Sequence, residues 1–160
     1  MIILGDIGNT ETKICLVQNN KIIKKILIPS KGEKIKILNR NFKKLRFSKI
    51  EKILFCSVVP STFKELKKYF KMKTKIKCFE LKDLNLKSIL QIDVNYKQVG
   101  SDRLANAISV STKNKNFIIL DFGTATTFDV LIGKNYKGGI ISPGINLSLN
   151  TLSDKASLIP

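Results

Sequence analysis

One short pattern occurs twice in this chain, and the repeat constrains the fold more than any other feature. An apolar strand, Ile2-Ile3-Leu4, runs into Asp6-Ile7-Gly8-Asn9-Thr10, and a second apolar strand leaves at Lys13 to Gln18. Far downstream, Asn116 to Leu120 runs into Asp121-Phe122-Gly123-Thr124-Ala125, and a second strand again leaves, ending before Gly133. Each copy goes on to a third strand and a helix, so the spacing predicts a duplicated strand–turn–strand–strand–helix unit.

The remaining elements follow from periodicity. Lys21 to Ser30 reads as a third strand after an Asn19-Asn20 hairpin turn. Apolar residues at 35, 38, 42 and 45 predict a helix on a basic segment. Lys52 to Pro60 reads as a buried strand, followed by a helix capped by Ser61 with Glu65 near its start. A short strand is expected at 75–81 and a helix over 99–113, with Ser101 or Asp102 at its N-terminus. Lys137 to Ser142 is a further strand and Leu147 to Leu158 a helical tail. The expected organisation is a first lobe over 1–113 and the start of a second over 114–160. The second lobe stops after one helix, which predicts a truncated or partial chain.

Composition narrows the chemistry. The 160 residues, 43% apolar, suit one domain or two small lobes with packed cores. No apolar run approaches the ~20 residues a bilayer-spanning helix needs, and the start lacks a secretory signature, so a cytoplasmic location is expected. Three cysteines without C-x-x-C spacing, and no histidine, argue against a disulfide framework, a zinc site and a histidine-assisted nucleophile. The cysteines, set among apolar neighbours, read as buried and inert. General acid–base chemistry then falls to a carboxylate or a lysine. The net charge of +17 is nearly all lysine, with arginine only at 40, 46 and 103. Lysines spread along the chain read as solvent-facing decoration and argue against specific nucleic-acid binding.

The two loops suit a polyphosphate. Glycine lets a ligand approach the backbone and permits positive φ, successive N–H groups can form an anion-binding concavity, and threonine and asparagine add neutral donors. Lys13 supplies a cation. Asp6 would repel phosphate directly, so its sensible role is to hold Mg²⁺, usually through water. Together the loops read as two jaws on one phosphate chain, expected to face each other. A third element, Gly100-Ser101-Asp102-Arg103, reads either as a helix cap with a solvated charge or as an acceptor site. In the second reading Asp102 takes the proton of an attacking hydroxyl, and Arg103 grips a carboxylate bidentately.

At this point "DIGNTETK" (Asp6–Lys13), "GSDR" (Gly100–Arg103), "DFGTATTFD" (Asp121–Asp129), "GGIISPG" (Gly138–Gly144) and the tail from Leu149 to Pro160 together resemble type III pantothenate kinases, in the same order. The resemblance implies an α/β, actin-like (ribonuclease H-like) fold of duplicated lobes with mixed sheets flanked by helices. It implies ATP-dependent phosphorylation of pantothenate, the first step of coenzyme A synthesis, by a homodimer. Residue by residue, Asp6, Gly8, Asn9, Thr10, Thr12 and Lys13 fall on the family's first phosphate motif, and Gly123 and Thr124 on its second. Asp121 falls on the position of a monovalent cation, potassium or ammonium. Gly100, Ser101, Asp102 and Arg103 fall on the pantothenate segment, with Asp102 as proton acceptor. Ser101 departs from the small apolar residue more usual there. The family's greater length leaves the second lobe and the adenine pocket incomplete at Pro160. Another small-molecule kinase of the same superfamily and a non-catalytic accessory transcription regulator are the competing readings.

Overall fold

In the computed structural model, which describes residues 1–30 and 32–155, the repeated pattern forms two separate sheets. The chain divides into two compact units, Met1–Asn85 and a second from Leu86 onward. The helix carrying Gly100–Arg103 therefore belongs to the second unit, upstream of the boundary expected at residue 113.

In the first unit, β1 (Ile2–Ile7), β2 (Glu11–Gln18) and β3 (Lys21–Pro29) form an antiparallel meander, and β4 (Lys52–Ser57) and β5 (Cys78–Glu80) add in parallel beside β1. The β2–β3 turn is the expected Asn19-Asn20 pair, with φ of 48° and 59°. Both sit in the left-handed region that asparagine tolerates better than most residues. Along β1 and β2 the residues Ile3, Ile7, Thr12, Ile14 and Leu16 face one side and are buried. Helices α1 (Lys34–Phe42) and α2 (Pro60–Lys73) supply Leu38, Phe42, Leu66 and Phe70 to the same core cluster. Helix α2 starts two residues earlier than expected, with Val59 rather than Ser61 at its N-cap. Pro60 occupies its first turn and no side chain caps it, because proline has no N–H to satisfy there and its φ already suits a helix.

In the second unit β7 (Asn116–Phe122), β8 (Ala125–Ile132) and β9 (Asn135–Pro143) repeat the antiparallel meander, followed by α4 (Ile145–Lys155). The two-residue β6 (Gln91–Ile92), which periodicity is too short to reveal, pairs in parallel with β9. Helix α3 (Ser101–Val110) packs against β7 and β8. Both sheets are thus mixed and flanked by helices, as the duplicated α/β reading requires. The end of the expected tail, 156–160, lies outside the described residues.

Aligning Asp6 with Asp121 makes the two meanders superimpose in pattern. Ile3 and Ile7 then correspond to Ile118 and Phe122, and Thr12, Ile14 and Leu16 to Thr126, Phe128 and Val130, from the two sheet registers. The consequences for burial are opposite. Ile3 and Ile7 are 0% exposed, whereas Ile118 and Phe122 are 69% and 63% exposed. Leu120, Ile132 and Ile140 continue the same open face. In the first unit β4 flanks β1 and α2 follows it. Among the described residues no strand pairs with the outer edge of β7.

The cysteines divide. Cys78 is buried, and burial pushes its thiol up to about 11. Cys15 and Cys56 are only partly buried, so the expectation of three inert core cysteines holds for one.

Two outcomes follow from this packing. The 160-residue chain on its own is expected to bind a hydrophobic-surface dye, and paired Ile118→Lys and Leu120→Lys substitutions should reduce that fluorescence severalfold. At pH 8 only about one Cys78 thiol in a thousand is ionised. Mass spectrometry of an iodoacetamide time course should therefore find Cys15 alkylated well before Cys78.

Candidate functional site

The first loop joins β1 to β2. Asp6 pairs in register with Lys13 on one side and Cys56 on the other, so the three side chains share the sheet face opposite the helices. The Cys56 thiol lies 3.5 Å from Asp6 Oδ1 and 3.6 Å from the Gly5 carbonyl, donating weakly to each. Lys13 Nζ is 3.5 Å from Glu11 Oε1 with both groups substantially exposed, a pair worth little in water. Asn9 and Thr10 are exposed at the tip. Thr12 is different. It is 1% exposed on the core face, and its hydroxyl is without a hydrogen-bond partner.

The second loop joins β7 to β8, with Asp121, Gly123 and Thr124 exposed. The glycines of the two loops do not adopt the positive φ expected of them. Positive φ among the described glycines occurs at Gly32, Gly133 and Gly138, not at Gly8 or Gly123. The Gly8 N–H donates to Glu11 O and the Gly123 N–H to Ala125 O, each at 3.0 Å. Those two amides close their own turns, so an arriving anion must find neighbouring donors.

Gly144 braces the second loop. A Cβ there would fall 2.2 Å from Gly123 O and 2.6 Å from Thr124 O, and the Gly144 N–H donates to Thr124 O at 3.0 Å. Only glycine lets the start of α4 approach so closely.

The strongest electrostatic feature is one the sequence reading missed. Asp129 is fully buried on β8, and Arg103 Nε donates to its Oδ1 and Oδ2 at 2.9 and 3.1 Å while Nη2 donates to Oδ1 at 2.6 Å. The Tyr136 hydroxyl donates to the same Oδ1. Burial alone would lower the Arg103 pKa. The hydrogen bonds and charge of Asp129 outweigh it and hold the guanidinium above its usual range. Burial, then the Asp129 carboxylate, push the Tyr136 phenol up as well. Gly139 makes room: a Cβ would sit 1.9 Å from Phe128 O and 2.7 Å from Arg103 Nη2. Arg103 was expected to grip a substrate carboxylate with its fork; the carboxylate that fork meets here is the protein's own. A lone acid on the buried face of a strand was the available signal.

Gly100 is the N-cap of α3, Ser101 its buried first residue, and Asp102, half-buried, lies in the first turn, its Oδ1 accepting from the Arg103 N–H at 2.8 Å. One turn further, Asn106 Nδ2 donates to Asp121 Oδ2 at 2.8 Å. The second unit therefore ties the Gly100–Arg103 segment to the second loop and its strand by two contacts, Arg103 to Asp129 and Asn106 to Asp121.

The model of the type III pantothenate kinase family matches residues 2–160. This chain belongs to that family. A type III pantothenate kinase of Pelagibacter ubique is 60% identical over 163 residues, covering all of this chain and 66% of the relative. One from Fusobacterium nucleatum is 35% identical over 174 residues, again covering all of this chain and 67% of the relative. The chain thus spans about two thirds of the length of the type III pantothenate kinases it matches, and slightly less in the Pelagibacter case. A solved Baf family transcriptional activator from Campylobacter jejuni aligns with a TM-score of 0.57 at 22% identity, over 95% of this chain and 59% of its own, a likeness of fold.

Among the described residues no three His, Cys, Asp or Glu side chains gather as a metal cage. Single carboxylates beside exposed loops, Asp6 and Asp121, suit hard cations that keep water or take ligand oxygens.

Removing one partner of the buried pair should be costly. Asp129→Ala is expected to destabilise the fold by about 3–5 kcal/mol because it strands the Arg103 charge. The Arg103→Met, Asp129→Leu double variant should lose much less than the sum of its single variants in urea unfolding.

Proposed function

We propose that this chain carries the phosphoryl-transfer and acceptor groups of an ATP-dependent pantothenate kinase that makes 4'-phosphopantothenate. The observation that supports this best is the coupling inside the second unit: Asp102 and the second loop belong to elements joined through Arg103–Asp129 and Asn106–Asp121. A kinase needs an acceptor-activating acid and a phosphate-binding loop held in fixed register, and these contacts supply that rigidity.

In this reading Asp102 accepts the proton of the pantothenate primary hydroxyl. The hydroxyl oxygen bonds to the γ-phosphorus as the bond from that phosphorus to the bridging β–γ oxygen breaks, and ADP leaves. Gly100 and Ser101 contribute backbone to the acceptor segment. Lys13, Asn9 and Thr10 on the first loop, and Thr124 on the second, are the groups proposed to meet phosphate oxygens, with Gly8 and Gly123 shaping the turns. Thr12 contributes from beneath the first loop, as a buried support. Asp121 is proposed to hold a potassium or ammonium ion and Asp6 a water-bound Mg²⁺. Such ions would neutralise phosphate charge. A homodimer working in the cytoplasm completes the proposal.

The test is turnover by the intact natural protein. Pantothenate-dependent ADP formation is expected, with kcat lowered at least about 100-fold by Asp102→Asn and the pantothenate KM changed little. Turnover indifferent to that substitution removes Asp102 as the base. No turnover, with tight DNA binding at physiological salt, favours the regulator instead.

A further inference from the structure

We propose that Asp129 and Tyr136 are positioning residues for the acceptor segment, acting through Arg103. The inference rests on the kinase reading above and deepens it by naming what fixes the pantothenate end of the site.

The geometry is specific. One carboxylate oxygen of Asp129 receives three donors: Arg103 Nε, Arg103 Nη2 and the Tyr136 hydroxyl. Asp129 and Tyr136 are both 0% exposed and Arg103 is 8% exposed. A guanidinium held on two nitrogens by a fixed carboxylate cannot rotate about its last bonds, so its plane and its remaining Nη1 edge are set by β8 and β9 rather than by solvent. Arg103 is also the neighbour of Asp102 on the first turn of α3, and its own N–H is the donor to Asp102 Oδ1. Fixing the Arg103 side chain therefore fixes the whole Gly100–Arg103 turn, whose Gly100 and Ser101 backbone is the part proposed to hold pantothenate. The two strands add a steric constraint, because Gly139 leaves a slot beside Nη2 that any side chain would fill.

A pair this buried could serve folding alone. The two roles differ in what they do to kinetics. A folding role lowers stability and the active fraction, so kcat falls while both KM values stay put. A positioning role changes the acceptor end selectively. Tyr136→Phe removes one donor and little volume, and Asp129→Asn keeps the shape but not the charge.

The experiment compares wild type, Tyr136→Phe and Asp129→Asn in the intact natural protein, with thermal melts and full kinetics in both substrates. For Asp129→Asn the expected result is a rise of about tenfold in the pantothenate KM, and for Tyr136→Phe about threefold, while the ATP KM stays within about twofold. If Asp129→Asn does not fold, Tyr136→Phe decides alone. Folded variants with an unchanged pantothenate KM, or with both KM values raised equally, overturn the inference and leave the kinase reading standing. A wild-type protein without pantothenate-dependent turnover overturns both.

Discussion

Strand alternation decides where each polar group of the two loops ends up. Neighbouring residues of a strand point to opposite faces, so a pattern in which Ile3 and Ile7 seek the core turns Asp6 away from it. The same count along β7 puts Asp121 on the face opposite Ile118, Leu120 and Phe122. There it meets α3, and Asn106 can reach it. Neither aspartate needs a special turn to be presented. In the first unit the apolar residues on either side do the presenting, and burying Ile3 and Ile7 is worth far more than any single loop contact.

This explains why so much of the architecture was legible. Periods of two and 3.6, with proline and asparagine at the breaks, locate nearly all the longer elements to within a few residues. Matching Asp6 with Asp121 exposes the duplication. What alternation does not carry is partnership between elements distant in sequence. Nothing local to Arg103 announces that its charge is buried against Asp129, 26 positions later. Residue type misled here, since a charged pair at a helix start usually faces water. Boundary placement failed for the same reason: α3 was assigned to the first lobe by position in the chain, whereas its buried Leu104 and Ala107 and its Arg103 commit it to the second sheet.

The glycines teach a related lesson. Gly8 and Gly123 looked like the conformationally special residues because they sit inside the phosphate-like motifs. Neither adopts positive φ, and each uses its N–H to close its turn. Apart from Gly5, which lies against the buried Phe55 ring, the positions where a side chain would run into backbone are Gly139 and Gly144, in a segment that sequence reasoning could match to a family but not explain. One keeps space for a guanidinium and the other lets a helix start rest on the second loop. Motif glycines can thus serve packing against a site rather than contact with a ligand.

The two copies differ most in what covers them, and that difference bears on the second loop. In the first unit the sheet face opposite Asp6 is sealed by α1 and α2, so the strands leading into the first loop are held from behind by a complete core. In the second unit the equivalent face is largely open among the described residues, and the strands leading into the second loop are held from the Asp121 side through Arg103, Tyr136 and Asn106 and at the loop itself by Gly144. A sheet supported on one face relies more heavily on each contact there. The buried carboxylate, the tyrosine and the asparagine therefore count for more than the same groups would in a fully packed lobe, and this is the physical ground for proposing that a network so far from the loop tips positions the acceptor segment.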